Sequence, residues 1–271
     1  PNTVPQTTTK EALEEKFRLA AEKSLINYSL FAGATTDNDE FLFKLNPQEI
    51  AGIKIFYASS TGNMHIERHS IIENIFKNSL IPIVIHSEAE YIITKNYQKY
   101  LNQKIELKAQ HHEYIRSAEA CYTATKHLIS LAEKYNSHIH FLHISTAEET
   151  ELFSPEKIIN KRITAEVSPN HLFFDSGDYQ NLGMLIKCNP SIKSENHKNE
   201  LLKALINNKI DTIATDHAPH SFDEKQKKYD HAPSGMPSIQ HSLNIMLEFV
   251  QKNELSLEKM VEKMCHNPSI I

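Results

Sequence analysis

Six short apolar runs, each followed by a stretch with helical spacing, constrain the fold more than any other feature of this sequence. The runs are predicted strands at 25–33, 51–56, 81–86, 138–144, 163–168 and 210–215. Helices are predicted at 8–23, 66–78, 113–135, 146–160, 195–208 and 238–252. Apolar strands that alternate with helices are typical of a parallel sheet covered by helices. A doubly wound open sheet and a (β/α)₈ barrel both fit this pattern.

The glycines and the strand ends favour the barrel. The chain has only six glycines and contains neither G-x-G-x-x-G nor G-x-x-x-x-G-K-[ST], which disfavours a nucleotide-binding open sheet. Polar residues that can bind metals follow several strands, at the edge where barrel enzymes build their sites. We therefore predict an α/β fold, a TIM barrel with six of its eight strands present, as one catalytic domain over residues 1–271.

Composition narrows the class of partner. The formal net charge of −5 argues against a nucleic-acid partner. No apolar run approaches the roughly 18 residues of a membrane span, and the polar start PNTVPQTTTKEALEE does not resemble a signal peptide. Three cysteines without C-x-x-C spacing favour a reducing compartment. The sequence therefore predicts a cytoplasmic protein without a membrane partner.

One predicted strand carries a lysine among apolar residues. Lys54 lies within GIKIF, where a snorkelling or ion-paired lysine is the ordinary interpretation. The functional interpretation is a buried amine that desolvation keeps neutral. A neutral amine can react with CO₂ to form a carbamate, whose two oxygens can bridge two cations.

Three further strand ends carry imidazole or carboxylate groups. His86 ends IPIVIH, and Asp216 ends the last run. His140 and His143 have opposite parity in HIHFLHI, so His143, at the end, is the better ligand candidate and His140 is expected to be structural or exposed. Imidazole and carboxylate suit zinc, and a pair of metals generates hydroxide near neutral pH beside an acid that can take its proton. Together these residues predict metal-assisted hydrolysis of an amide-like bond.

Nine segments carry a resemblance that covers essentially the whole chain. They are PNTVP (1–5), NYSLFAGAT (27–35), GIKIFYASSTGNM (52–64), HSEAE (86–90), RSAEAC (116–121), HFLHIST (140–146), EVSPNHL (166–172), KCNPSIKS (187–194) and ATDHAPHSFDEKQKKYDHAPSG (214–235). In this order they resemble the dihydroorotase family of the amidohydrolase superfamily. The resemblance implies reversible hydrolysis of (S)-dihydroorotate to N-carbamoyl-L-aspartate in pyrimidine (UMP) biosynthesis, by a metal-bound hydroxide, and it favours a homodimer.

The resemblance also implies roles for particular residues. Lys54 resembles the carboxylated lysine that bridges two Zn²⁺ ions, and His86 and His143 resemble ligands of the second ion. Asp216 resembles a ligand of the first ion that also shuttles the proton. The residues that match substrate contacts are Asn2, Asn189, His220 and, through its backbone, Gly235. His217, beside Asp216, is expected to be structural.

The chain departs from the family pattern at both ends. It lacks the family's D-x-H-x-H-x-R motif, whose histidines bind the first metal, and it begins at a segment that follows the family's second strand. We expect a central portion that lacks the first two strands and, alone, has little activity and no tightly bound metal pair. The alternatives are a hydantoinase or allantoinase, or a non-catalytic dihydroorotase-like partner of aspartate transcarbamoylase. The segments SSTGNM, DHAPHSFDEKQ and APSG favour dihydroorotase.

Overall fold

A parallel sheet of six strands lies at the centre of the computed structural model, which describes residues 3–59, 66 and 69–271. The strands are β1 (Phe31–Gly33), β2 (Gly52–Phe56), β3 (Ile83–His86), β4 (Ile139–Phe141), β5 (Ile163–Val167) and β6 (Thr212–Ile213). Each strand pairs in parallel with the next, and among the described residues no ladder joins β6 to β1. The six predicted parallel strands are confirmed, and the sheet has two edges.

The two faces of the sheet differ in chemistry. Ile53, Ile55, Ile83 and Ile85 are fully or almost fully buried in the main hydrophobic core with the helices. Because side chains alternate along a strand, Lys54 lies on the opposite face, where it is in register with Val84. Two residues further along, Phe56 is in register with His86. This second face therefore carries the polar residues that the sequence singles out.

Helices follow most strands and cover the sheet. They are α1 (Lys10–Lys23), α2 (Asp39–Phe43), α3 (His69–Asn78), α4 (Glu90–Asn102), α5 (His112–Ile115), α6 (Ala118–Tyr135), α7 (Ala147–Thr150), α8 (Pro169–Phe173), α9 (Tyr179–Leu182), α10 (Glu195–Ile206), α11 (Phe222–Lys225), α12 (Ile239–Gln251) and α13 (Leu257–Val261). Short 3₁₀ segments lie at Ala109–His111, Ile158–Asn160, Ser176–Asp178, Gly183–Ile186 and Asn267–Ser269, with a π-helical turn at Glu262–His266. None of the helices described is long and apolar enough to cross a membrane.

Three element predictions need correction. The run 25–33 forms a strand only at Phe31–Gly33, because its partner strand β2 begins at Gly52, which is in register with Phe31. The predicted helix 113–135 is interrupted before α6, where the Ser117 side chain accepts a hydrogen bond from Ala120 N and caps a new helix. The predicted helix 146–160 is α-helical only at Ala147–Thr150, with a 3₁₀ turn at Ile158–Asn160, and Pro155 is incompatible with a continuous helix interior.

Candidate active site

Three of the four candidate metal residues lie at or beyond the carboxyl ends of parallel strands, and the fourth lies in the middle of a strand. Lys54 is in β2, and His86 is the last residue of β3. His143 follows β4 by two residues, and Asp216 follows β6 by three. The strands are parallel, so these ends lie along one edge of the sheet, as in barrel enzymes.

His86 and His143 form a close pair of buried imidazoles. His86 Nδ1 lies 3.1 Å from His143 Nε2, and the ring centroids are 4.8 Å apart in an edge-on arrangement. His143 has a positive φ of 36°, so the backbone turns immediately after β4. Burial lowers the pKa of both rings, that of His143 well below the usual value. Both imidazoles are therefore neutral, the form that binds metal ions.

Glu88, which the sequence analysis did not single out, fixes the orientation of the His86 ring. Burial alone would raise the Glu88 pKa, but the Arg116 guanidinium and the His86 ring more than offset it and lower that pKa to about 2. The ionised carboxylate accepts hydrogen bonds from His86 Nε2, at 2.8 Å, and from Arg116 Nη1. The proton of His86 is therefore on Nε2, and the Nδ1 lone pair points toward His143. A carboxylate behind a histidine in this way is typical of metal sites.

The geometry of the histidine pair fits a divalent cation. Two nitrogens bound tetrahedrally to zinc at roughly 2.0–2.1 Å would be about 3.3 Å apart, close to the 3.1 Å observed. His143 Nδ1 is buried and has no hydrogen-bond partner among the described residues. Within residues 3–59, 66 and 69–271 no group of three or more His, Cys, Asp and Glu side chains is placed to hold a metal. The pair thus supplies two nitrogen donors from the described residues.

Lys54 is suited to provide a further donor. The residue is buried, and its Nζ lies 4.5 Å from the centre of the Phe56 ring. Burial lowers the Lys54 pKa to about 8, although the Asp216 and Glu166 carboxylates oppose the shift. A larger fraction of this amine is neutral near pH 7 than for an ordinary lysine, which is the requirement for carbamate formation.

Asp216 occupies a more open position. Its φ is +44°, and the residue is exposed in the structure. Surrounding protein raises the Asp216 pKa to about 7, with Lys54 opposing the shift and Glu166 adding to it. Solvent screens part of this effect because the residue is exposed. Next to it, His217 Nδ1 accepts the backbone N–H groups of Ser238 and Ile239, which ties the strand end to the start of α12.

The parity argument for His140 was wrong. His140 is in register with Val84, so it lies on the same face of the sheet as Lys54. It is buried, and its ring contacts Glu166 Oε2 at 3.0 Å and Thr164 Oγ1 at 2.8 Å. His143 also reaches this side because its positive φ breaks the strand alternation. The pair of His140 and Glu166 therefore lies beneath the candidate site, a contact that alternation along one strand cannot reveal.

The expected substrate contacts fall into two groups. His220 and Gly235 are adjacent and line a cavity of about 540 Å³. Gly235 has a φ of +143°, and a Cβ there would lie 2.5 Å from the Ala218 carbonyl oxygen. Asn189 lines a smaller cavity of about 270 Å³, where its Oδ1 lies 3.2 Å from His112 Nε2. Asn2 lies outside the described residues.

Comparison with known proteins shows which sequences and structures this chain resembles. No family model matches the chain. The dihydroorotase of Methanosphaera stadtmanae is 32% identical over 274 residues, which cover 100% of this chain and 61% of the relative. The L-hydantoinase (dihydropyrimidinase) structure from Arthrobacter aurescens matches with a TM-score of 0.93 at 26% identity, over 99% of this chain and 61% of that one. A dihydroorotase structure from Saccharomyces cerevisiae, in complex with 5-fluoroorotic acid, matches in fold with a TM-score of 0.79 at 18% identity, over 100% of this chain and 74% of that one.

The parallel sheet with its strand-end donors and these structural matches define the fold, which is that of the barrels of the hydantoinase and dihydroorotase structures. In sequence, the chain is similar over nearly its whole length to dihydroorotases. The resemblance found in the sequence motifs is thereby confirmed. The chain spans about three fifths of the length of the curated relatives, 61% of the one from Methanosphaera stadtmanae.

Proposed function

We propose that this chain is the central portion of a dihydroorotase, which reversibly hydrolyses (S)-dihydroorotate to N-carbamoyl-L-aspartate in pyrimidine biosynthesis. The observation that carries the proposal is the His86–His143 pair, fixed by Glu88 at adjacent strand ends. This pair lies in a chain that is similar over its whole length to a dihydroorotase, which supports this reaction over others of related enzymes. The three free cysteines support a reducing, cytoplasmic location. We further propose one catalytic domain over residues 1–271 and a homodimer.

The metal residues have distinct roles in this proposal. His86 and His143 would hold one Zn²⁺, carboxylated Lys54 would bridge it to a second, and Asp216 would contact that second ion. When bound, such a pair lowers the pKa of a water molecule to about 7 and polarises a carbonyl. Glu88 keeps the His86 lone pair directed at the site. Burial favours the neutral amine of Lys54, which is the form that reacts with CO₂ to give the carbamate.

Proton transfer falls to Asp216 in the hydrolytic direction. Its ionised carboxylate takes the proton of the attacking water and delivers it to the departing ring nitrogen. A pKa above the usual aspartate value suits both halves of this task, since the group must accept the proton and then release it. Asn2, Asn189, His220 and the Gly235 backbone would hold the substrate around the reacting amide.

The structure also favours a second candidate, a hydantoinase. The L-hydantoinase match has the TM-score of 0.93, and the cavity beside His220 and Gly235 has apolar walls. Those walls include Phe173, Phe174, Leu182 and Ile245. An apolar cavity next to the reacting amide would accept the alkyl or aromatic substituent of a hydantoin ring, which dihydroorotate lacks.

Substrate comparison on the complete protein tests the proposal. Initial rates would be measured with dihydroorotate, 5-benzylhydantoin and allantoin, at equal metal loading. We expect kcat/KM to be largest for dihydroorotate by roughly 10,000-fold, the scale on which polar groups left unpaired reject a wrong substrate. Preference for the benzylhydantoin would replace the proposal with the second candidate. No turnover of any substrate and no bound metal would indicate a non-catalytic partner of aspartate transcarbamoylase.

A further inference from the structure

A buried ammonium group lies behind the segments expected to contact the substrate. Lys225, at the end of α11, is 4% exposed. Its Nζ donates to three backbone carbonyls, those of Lys187 at 2.9 Å, Pro233 at 3.0 Å and Gly235 at 2.9 Å. An ammonium has three N–H donors and no acceptor, so the three carbonyls use its whole bonding capacity.

These carbonyls belong to the segments that carry the substrate-contact candidates. Lys187 lies two residues before Asn189, and its carbonyl also accepts the N–H of Gly235 at 2.9 Å. The segment around Gly235 in turn packs on the residues before His220, since Ala218 N donates to Met236 O at 3.0 Å. A single side chain thus joins the surroundings of Asn189 and Gly235 directly, and those of His220 through one further hydrogen bond.

A second buried lysine acts on the same loop. Lys187 Nζ donates to Tyr229 O and Ala232 O, both at 2.7 Å, and lies 4.4 Å from the centre of the Tyr229 ring. The loop between α11 and Gly235 therefore turns its carbonyls inward onto two cations. Buried carbonyls that lose their donors are costly, so the loop conformation depends on these two side chains.

We propose that Lys225 is the positioning residue that assembles Asn189, His220 and Gly235 into one substrate-binding surface. The inference rests on the proposed function for the identity of the substrate. The clamp, by which we mean the three hydrogen bonds from Lys225 Nζ to backbone carbonyls, does not depend on that function. Lys225 makes no hydrogen bond to Lys54, His86 or His143 in the described structure. Its loss should therefore weaken substrate binding and leave metal binding unchanged.

The variant Lys225→Met in the complete protein tests this inference, since methionine retains an unbranched side chain without the charge. The matched control is Lys227→Met, an exposed lysine of the same loop. For Lys225→Met we expect the KM for dihydroorotate to rise roughly tenfold or more, with kcat within about threefold and metal content unchanged. Amide exchange at Gly235 and Ala218 should accelerate roughly 100-fold, whereas Lys227→Met should match the wild type in every measurement.

A folded Lys225→Met variant with unchanged KM and unchanged amide exchange would overturn the inference. If Lys225→Met does not fold, amide exchange in the wild-type protein tests the inference instead. The Gly235 amide must then exchange at least about 100-fold more slowly than the amide of the exposed residue Lys228. Equal rates would refute the clamp. If the wild type does not turn over dihydroorotate, the proposed function fails, and amide exchange still tests the clamp.

Discussion

The two halves of the candidate site differ in how they are supported. His86 and His143 are 1% and 4% exposed, and Glu88 with Arg116 fixes the first ring from behind. Asp216 is exposed, and among the described residues its two-residue strand β6 pairs with β5 alone. The histidine half therefore has a carboxylate and a guanidinium behind its ring, whereas the Asp216 half is held through the hydrogen bonds of the neighbouring His217. Preorganisation of a site thus follows the hydrogen bonds behind each ligand rather than the ligand residues themselves.

Substitution of Lys54, whose carbamate would connect the two halves of the site, gives the largest expected effect on activity. In the complete protein, Lys54→Ala removes the carbamate donor, and we expect kcat/KM for dihydroorotate to fall by roughly 1000-fold, the scale of losing a principal electrostatic element. Bound zinc should also fall by about one equivalent. Elemental analysis and steady-state rates measure both, with the exposed Lys44→Ala as control. Unchanged zinc and rate would remove Lys54 from the site.

The Asp216 half of the site is tested by the substitution Asp216→Asn. An amide cannot accept the proton, so kcat should fall by about 100- to 10,000-fold. In the wild type, kcat/KM for hydrolysis should fall as pH falls through the Asp216 pKa, because the protonated carboxyl cannot accept the proton of the attacking water. This acid limb should vanish in the variant. Asp223→Asn, at an exposed position, serves as the control. If the acid limb persists in Asp216→Asn, the group that titrates is another residue.

The histidine half of the site is tested by the substitution Glu88→Gln. The change leaves the buried Arg116 without its carboxylate, and we expect the free energy of unfolding to fall by about 3 kcal/mol. Zinc affinity should fall by roughly 10- to 100-fold because the His86 ring loses its orienting partner. Urea unfolding and competitive zinc titration give the two values, compared with the exposed Glu119→Gln. Wild-type zinc affinity in a folded variant would contradict the supporting role of Glu88.

A smaller, pH-dependent effect lies behind the histidine half, at Glu149. Its carboxylate accepts hydrogen bonds from Thr125 Oγ1, at 2.7 Å, and from Thr146 Oγ1, at 2.9 Å, yet burial raises its pKa to about 7. The folded state thus binds this proton more tightly than the unfolded state. The contribution is fully present below the unfolded pKa and is lost as pH rises to about 7, by up to about 3 kcal/mol.

Urea unfolding between pH 4 and 8 measures this contribution. The decline in the free energy of unfolding should be shallower in Glu149→Gln than in the wild type, because glutamine does not titrate. Glu148→Gln, on the same helix but at a partly exposed position, serves as control. Identical slopes for the wild type and Glu149→Gln would show that the carboxyl titrates normally.

The sequence predicts the strands better than the connections between them. Apolar runs identify β2 and β3 because burial on both faces leaves a continuous pattern. The break at Ser117 and the positive φ of His143 follow from capping and tertiary packing, which periodicity does not contain. Glu88 and Lys225 were missed for a related reason, since one partner of each, Arg116 and Lys187, is 28 and 38 residues away. Spacing within one segment cannot show such contacts.

Anomalous X-ray diffraction at the zinc edge, on crystals of the complete protein, tests the central claim most directly. The account predicts a peak between His86 Nδ1 and His143 Nε2, about 2.1 Å from each nitrogen. It predicts a second peak beyond the carboxylated Lys54, on the side of Asp216. Density for a direct hydrogen bond between the two imidazoles, with zinc absent or bound elsewhere, would contradict the account.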